Sequence, residues 1–142
     1  MSSQKIYCGR CLCGAVRFTA APEKAEMAIC HCGMCRRWAG GVFMAVDCSQ
    51  KFEIEDDRHL GLYQSSPWGE RGFCKICGST LFWRARDGSS IHVSAQAFDD
   101  PEAFELTQEI FIDEKPANFA LANATQKLTG AEVMAMWAPK QG

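Results

Sequence analysis

No stretch of about 18 consecutive apolar residues occurs in the sequence, so nothing in it reads as a bilayer-spanning helix. Basic charge is not in excess: 15 Lys and Arg stand against 17 Asp and Glu, for a formal net charge of −2. Non-specific nucleic-acid binding, which needs clustered cations, is therefore not expected. There is no linker-like run of Pro, Gly or Ser and no low-complexity tract, and the 142 residues are too few for two ordinary domains. The chain reads as one domain over residues 1–142. Met1 to Gly9 are polar and carry no apolar segment of a secretory signal, which points to a reducing, cytoplasmic setting. Disorder is excluded by the 47% of hydrophobic residues.

Cysteine is the residue in surplus. There are nine, an odd number, and none follows Cys77. They fall at Cys8, Cys11, Cys13, Cys30, Cys32, Cys35, Cys48, Cys74 and Cys77. In a reducing compartment such clusters more often bind metal or do redox chemistry than form structural disulfides.

Alternating, β-branched and aromatic segments recur along the chain at Ala15 to Thr19, Val42 to Val46, Phe52 to Ile54, Leu60 to Tyr63, Thr80 to Trp83, Ile91 to Ser94 and Glu109 to Ile112. Turn signals separate them, among them Asp56-Asp57, Ser65-Ser66-Pro67 and Asp87-Gly88. The pattern predicts a mainly β fold of antiparallel sheets. Helix is expected from Gly130 to Trp137, where Thr129 and Glu132 have the spacing of a capping box and Val133, Met136 and Trp137 would share a face. Short helical turns are expected after Cys35 and from Pro101 to Phe104.

CLC at 11–13 and CKIC at 74–77 each bring two thiols close together, because residues two apart in an extended stretch face the same way and residues three apart meet across a tight turn. Two such pairs make the tetrathiolate of a structural zinc; the alternatives are buried thiols or disulfides. Gly14 and Gly78 follow the second cysteine of each pair and would let backbone N–H groups point at sulfur. CHCGMC supplies three more thiols, Cys30, Cys32 and Cys35. Three protein ligands leave a fourth position on zinc for water or substrate. His31, Cys48 or Cys8 could instead close this second site, although His31, between two ligands, would more naturally point away.

CLCGAVRF at 11–18, CHCGMCRRWAG at 30–40, LYQSSPWGERGFCKICGSTLFW at 62–83 and, more weakly, HVSAQAFDDPE at 92–102 together resemble the glutathione-dependent formaldehyde-activating enzymes, a family that shares its domain with a centromere-associated protein. The resemblance implies a zinc-stapled β-tent fold with two Zn2+ per chain. Cys11, Cys13, Cys74 and Cys77 match the structural ligands, and Cys30, Cys32 and Cys35 match the catalytic site. Cys8 and Cys48 stand outside the pattern. The implied activity is that of a carbon–sulfur lyase, the reversible joining of formaldehyde and glutathione to S-(hydroxymethyl)glutathione.

Glutathione carries two carboxylates, which call for cationic donors. Arg36, Arg37 and Arg71 are the candidate substrate contacts, and Trp38, Trp68 and Phe73 the candidate pocket walls. No general acid or base is evident. The rival reading is a zinc-scaffolded protein-binding module without catalysis; zinc storage or sensing is a third. A homodimer would need an exposed apolar patch, which the sequence does not locate.

Overall fold

The computed structural model describes residues 5–141, with side chains from Lys5 to Met136. Among the described residues the chain forms eleven strands in two sheets and two short α-helices, which makes it mainly β. The smaller sheet holds β1 (Tyr7–Arg10), β2 (Arg17–Ala20) and β5 (Phe52–Ile54) in the order β1-β2-β5, all antiparallel. The larger holds β3 (Glu26–Cys30), β4 (Phe43–Asp47), β6 (Leu60–Gln64), β7 (Gly69–Cys74), β8 (Thr80–Ala85), β9 (Ile91–Ser94), β10 (Glu105–Ile110) and β11 (Gln126–Leu128). Its order is β11-β10-β3-β4-β9-β8-β7-β6.

The layers meet through a chain of phenylalanines. Phe18 of β2 stacks at 5.4 Å on Phe52 of β5, which lies 5.4 Å from Phe82 of β8; Phe98 and Phe104 extend the cluster. Phe18 is 1% exposed and Phe82 fully buried, each burial contributing roughly 1.5–3 kcal/mol. Phe82 sits beside a bulge at Leu81, which breaks the two-residue alternation and lets both neighbours be buried.

The antiparallel expectation holds from β3 through β4, β9, β8 and β7 to β6, but β10 pairs parallel with both β3 and β11. The strand expected to reach Ile112 ends at Ile110, because Phe111 turns into the left-handed region with φ 54°.

The first helix, α1 (Gly33–Ala39), begins before Cys35, with Cys32 as its N-cap and Gly40 closing it at φ 74°. The second, α2 (Gly130–Gln141), has the anticipated capping box: the Thr129 N–H donates to Glu132 and the Glu132 N–H to the Thr129 hydroxyl. Of its expected apolar face, Val133 is buried and Met136 exposed; the Trp137 side chain lies outside the described residues.

Candidate metal centres

The nine cysteines are all free, and seven of them form two clusters, each with its sulfurs within 4.8 Å of one another. Cys8 and Cys48 belong to neither: Cys8 lies exposed on β1, and Cys48 is fully buried in the core, where desolvation first and the Asp47 carboxylate second push its thiol up to about 12.

The first cluster bridges the two sheets. Cys11 and Cys13 lie in the turn between β1 and β2; Cys74 ends β7 and Cys77 follows it in the turn to β8. Cys13 Sγ is 3.7 Å from Cys11 Sγ and 3.8 Å from Cys74 Sγ. Four sulfurs each about 2.3 Å from a shared tetrahedral ion lie about 3.8 Å apart, whereas a disulfide needs about 2 Å. The donor set and spacing therefore fit a closed metal site. Gly14 at φ 83° and Gly78 at φ 79° make the turns that an L side chain would strain. Backbone N–H groups of Val16, Ile76 and Cys77 donate to the sulfurs of Cys11 and Cys74. The Ser79 hydroxyl holds the Cys77 thiol down, to about 5.

The second cluster sits where β3 enters α1. Cys30 ends the strand, Cys32 caps the helix and accepts from the Cys35 N–H at 3.4 Å, and Cys35 is buried in the first turn. Hydrogen bonds from Cys30 and then Cys35 hold the Cys32 thiol far below the ordinary range, while the contact with Cys32 pushes Cys30 up. Without a cation the triad resists a second negative charge; a bound cation is what would make all three thiolates.

Cys30 also borders a hollow of about 230 Å³, lined further by His31, Arg36, Val42, Pro116 and Phe119. A larger hollow of about 510 Å³, with Glu23, Asp47 and His92 in its wall, contains none of the cysteines.

The three buried charged or polar side chains among the described residues are His31, Glu109 and Arg71. All three stand around this cluster. His31 turns away from the sulfurs, and its Nε2 lies 2.8 Å from Glu109 Oε1. Glu109, on β10, also accepts from the Thr125 hydroxyl and lies 3.7 Å from Lys127 Nζ. Burial pushes the Glu109 carboxyl up, but the hydrogen bonds from Thr125 and His31 outweigh it and hold the group below the usual carboxylate range.

Glu109→Ala is expected to cost about 3 kcal/mol, since it strands a buried donor on His31 and a half-buried one on Thr125. A carboxyl with a depressed folded pKa stabilises above its unfolded value of about 4.3 and loses that contribution as pH falls through the folded one. Urea unfolding across pH checks this: the gap between the wild type and the variant should be full at pH 7 and close in acid. A gap of less than about 1 kcal/mol at pH 7 would remove the pair from the stability of the site.

The sequence pattern of the glutathione-dependent formaldehyde-activating enzymes matches residues 6–114, which span both clusters. The chain belongs to this family. An uncharacterized lyase of Schizosaccharomyces pombe is 37% identical to this chain over 129 residues, covering 90% of this chain and 94% of its own. A Halomonas elongata protein bearing the name of the glutathione-dependent formaldehyde-activating enzymes is 35% identical over 117 residues, covering 71% of this chain and 74% of its own. A crystal structure of a Rhodobacter sphaeroides protein shares the fold, with a TM-score of 0.58 at 22% identity over 70% of this chain and 99% of that one. An enzyme of lyase type is what the family and the first relative support.

Within this family member the candidate arginines separate. Arg36 lines the hollow beside Cys30, and its Nε is buried without a hydrogen-bond partner. The exposed Arg37 donates to the Gly33 carbonyl at 3.3 Å. Arg71 is 2% exposed and is directed at Cys35, so it meets sulfur rather than a solvated carboxylate. Of the candidate aromatic walls, Trp38 lies against Arg71, its ring 5.0 Å from the guanidinium carbon, and Trp68 is 53% exposed. Neither Trp68 nor Phe73 lines the hollow, whose aromatic is Phe119. Phe119 carries no signature in sequence, because it reaches the site from beyond β10 by tertiary folding alone.

Proposed function

We propose that the chain is a zinc-dependent carbon–sulfur lyase, acting on the adduct of a small thiol and an aldehyde, with S-(hydroxymethyl)glutathione as the substrate to test first. The reading is carried by one observation: seven sulfurs divide into a four-sulfur cluster stapling the sheets and a three-sulfur cluster beside a hollow. Cys11, Cys13, Cys74 and Cys77 would hold a structural zinc, and Cys30, Cys32 and Cys35 a second, giving two Zn2+ per chain. Zinc bound to three protein sulfurs supplies a position for an incoming thiol and favours its thiolate, the form that adds to carbonyl carbon.

The remaining work falls to the protein. In the synthetic direction a sulfur–carbon bond forms, the carbonyl π pair moves to oxygen, and that oxygen gains the proton the thiol loses. The His31 ring, held by Glu109, lines the hollow and can take up that proton and return it to the new hydroxyl. Val42, Pro116 and Phe119 give the hollow an apolar wall. The cationic groups of Arg36 and Arg37 would meet the carboxylates of the thiol. The N-terminus of α1 is not needed for this, since the Gly33 N–H already donates to Glu114 at 3.0 Å.

The two-sheet architecture is assigned as a β-tent forming one domain, and nine free cysteines suit a reducing compartment such as the cytoplasm. Formaldehyde exchange between its free and glutathione-bound forms, followed by NMR with the zinc-loaded protein, tests the activity. Faster exchange than in the protein-free mixture is expected; equal rates would overturn the proposal. Metal analysis should give two zinc per chain.

A further inference from the structure

Among the described residues the largest fully buried side chain is a cation. Arg71, in β7, is 2% exposed, and a guanidinium stays protonated at any pH the protein meets. A buried charge is tolerated only when something of opposite sign compensates it. Arg71 has no carboxylate: the ion pairs among the described residues are His31–Glu109, Arg58–Asp56, Arg84–Glu70 and Lys127–Glu109. Its contacts are the Ser65 hydroxyl, to which Nε donates at 3.0 Å, the Trp38 ring, 5.0 Å from the guanidinium carbon, and Cys35 Sγ, 3.5 Å from Nη1. A hydroxyl and a ring face soften a unit charge without cancelling it.

We infer that Arg71 is the counter-ion of the three-cysteine site, a positioning residue whose charge sets how tightly Cys30, Cys32 and Cys35 hold their metal. The inference rests on the proposal that these three residues bind zinc. A divalent ion held by three thiolates carries one net negative charge, and a guanidinium in contact with one of the sulfurs brings the sum to zero. The coupling is reciprocal: the loaded site favours Arg71 in the interior, and Arg71 favours the loaded site by the same factor. The hydrogen bond to Cys35 also draws electron density from a sulfur that would otherwise weaken the acidity of the metal.

The test compares Arg71→Gln, which keeps a hydrogen-bond donor but removes the charge, with Arg71→Lys, which keeps the charge. Zinc affinity of the second site is read by chelator competition, and melting temperature is read with that site loaded and again after chelation has left one zinc per chain. Arg71→Gln should lose about 10–100-fold in second-site affinity, the range of a lost supporting group, with the four-cysteine site unchanged. Its melting temperature should fall further below the wild type when the second site is loaded than when it is empty, a difference that a purely structural tether would not produce. Arg71→Lys should stay within about tenfold of the wild-type affinity, less than the loss of the charge-free variant. Wild-type affinity in Arg71→Gln, or an equal drop in melting temperature in both forms, overturns the inference. Should Arg71→Gln not fold, Arg71→Lys decides: retained affinity supports the charge role, and a loss beyond tenfold overturns it. A wild type with one zinc per chain before any chelation refutes the metal reading instead, and it is measured first.

Discussion

Cys74→Ser is expected to leave the protein largely unfolded at room temperature. Cys74 is 1% exposed, ends β7, and supplies one of the four sulfurs joining the β1–β2 turn of the small sheet to the β7–β8 turn of the large one. A neutral serine hydroxyl is a poor substitute for a thiolate ligand. A structural zinc contributes roughly 10–16 kcal/mol of apparent binding energy, against a typical net stability of about 5–15 kcal/mol for a whole domain. Pinning Cys13 to Cys74 also closes a loop of about 60 residues, and the chain entropy of that closure, roughly 4 kcal/mol, is offset only while the metal is held. Thermal melts by circular dichroism, with zinc analysis on the same samples, check the prediction. A variant that melts within a few degrees of the wild type would show that the first cluster does not hold the sheets together.

Cys35→Ser should do the opposite: abolish turnover and spare the fold. The second cluster joins β3 to a helix that begins three residues later, so its loss releases no long loop. Activity should fall by more than about 100-fold, beyond the effect of losing a supporting hydrogen bond. Zinc should drop from two to one per chain while the β spectrum persists. A fall in melting temperature as large as that of Cys74→Ser would mean a second structural site, and would favour the protein-binding reading over catalysis.

The sequence was most informative where a single strand is buried on one face. FEI at 52–54 and IHVS at 91–94 carry apolar and β-branched residues, and both are strands with those limits. It was least informative at β7, GERGFC, which has two glycines and buries an arginine. The neighbouring strand supplies what β7 omits: the rings of Trp83 and Phe82 lie over Gly69 and Gly72, where any Cβ would collide with them. Nothing in β7 alone announces rings that belong to β8. The strand β3, EMAIC, was likewise unmarked, because its partners lie outside it: β4, beyond the intervening helix, and β10, far off in sequence.

The two cysteine groupings were legible without coordinates, because within each motif the thiols lie a few residues apart in turns whose geometry is local. The contacts around the second cluster were not. Arg71 reaches Cys35 across 36 positions, and Glu109 reaches His31 across 78. Those meetings depend on β7 lying inside the large sheet and on β10 running parallel to β3, with Ile110 opposite Cys30. An arginine or glutamate reads as surface in sequence, since a charge belongs in water until a partner is fixed beside it. Only the packed chain fixes that partner.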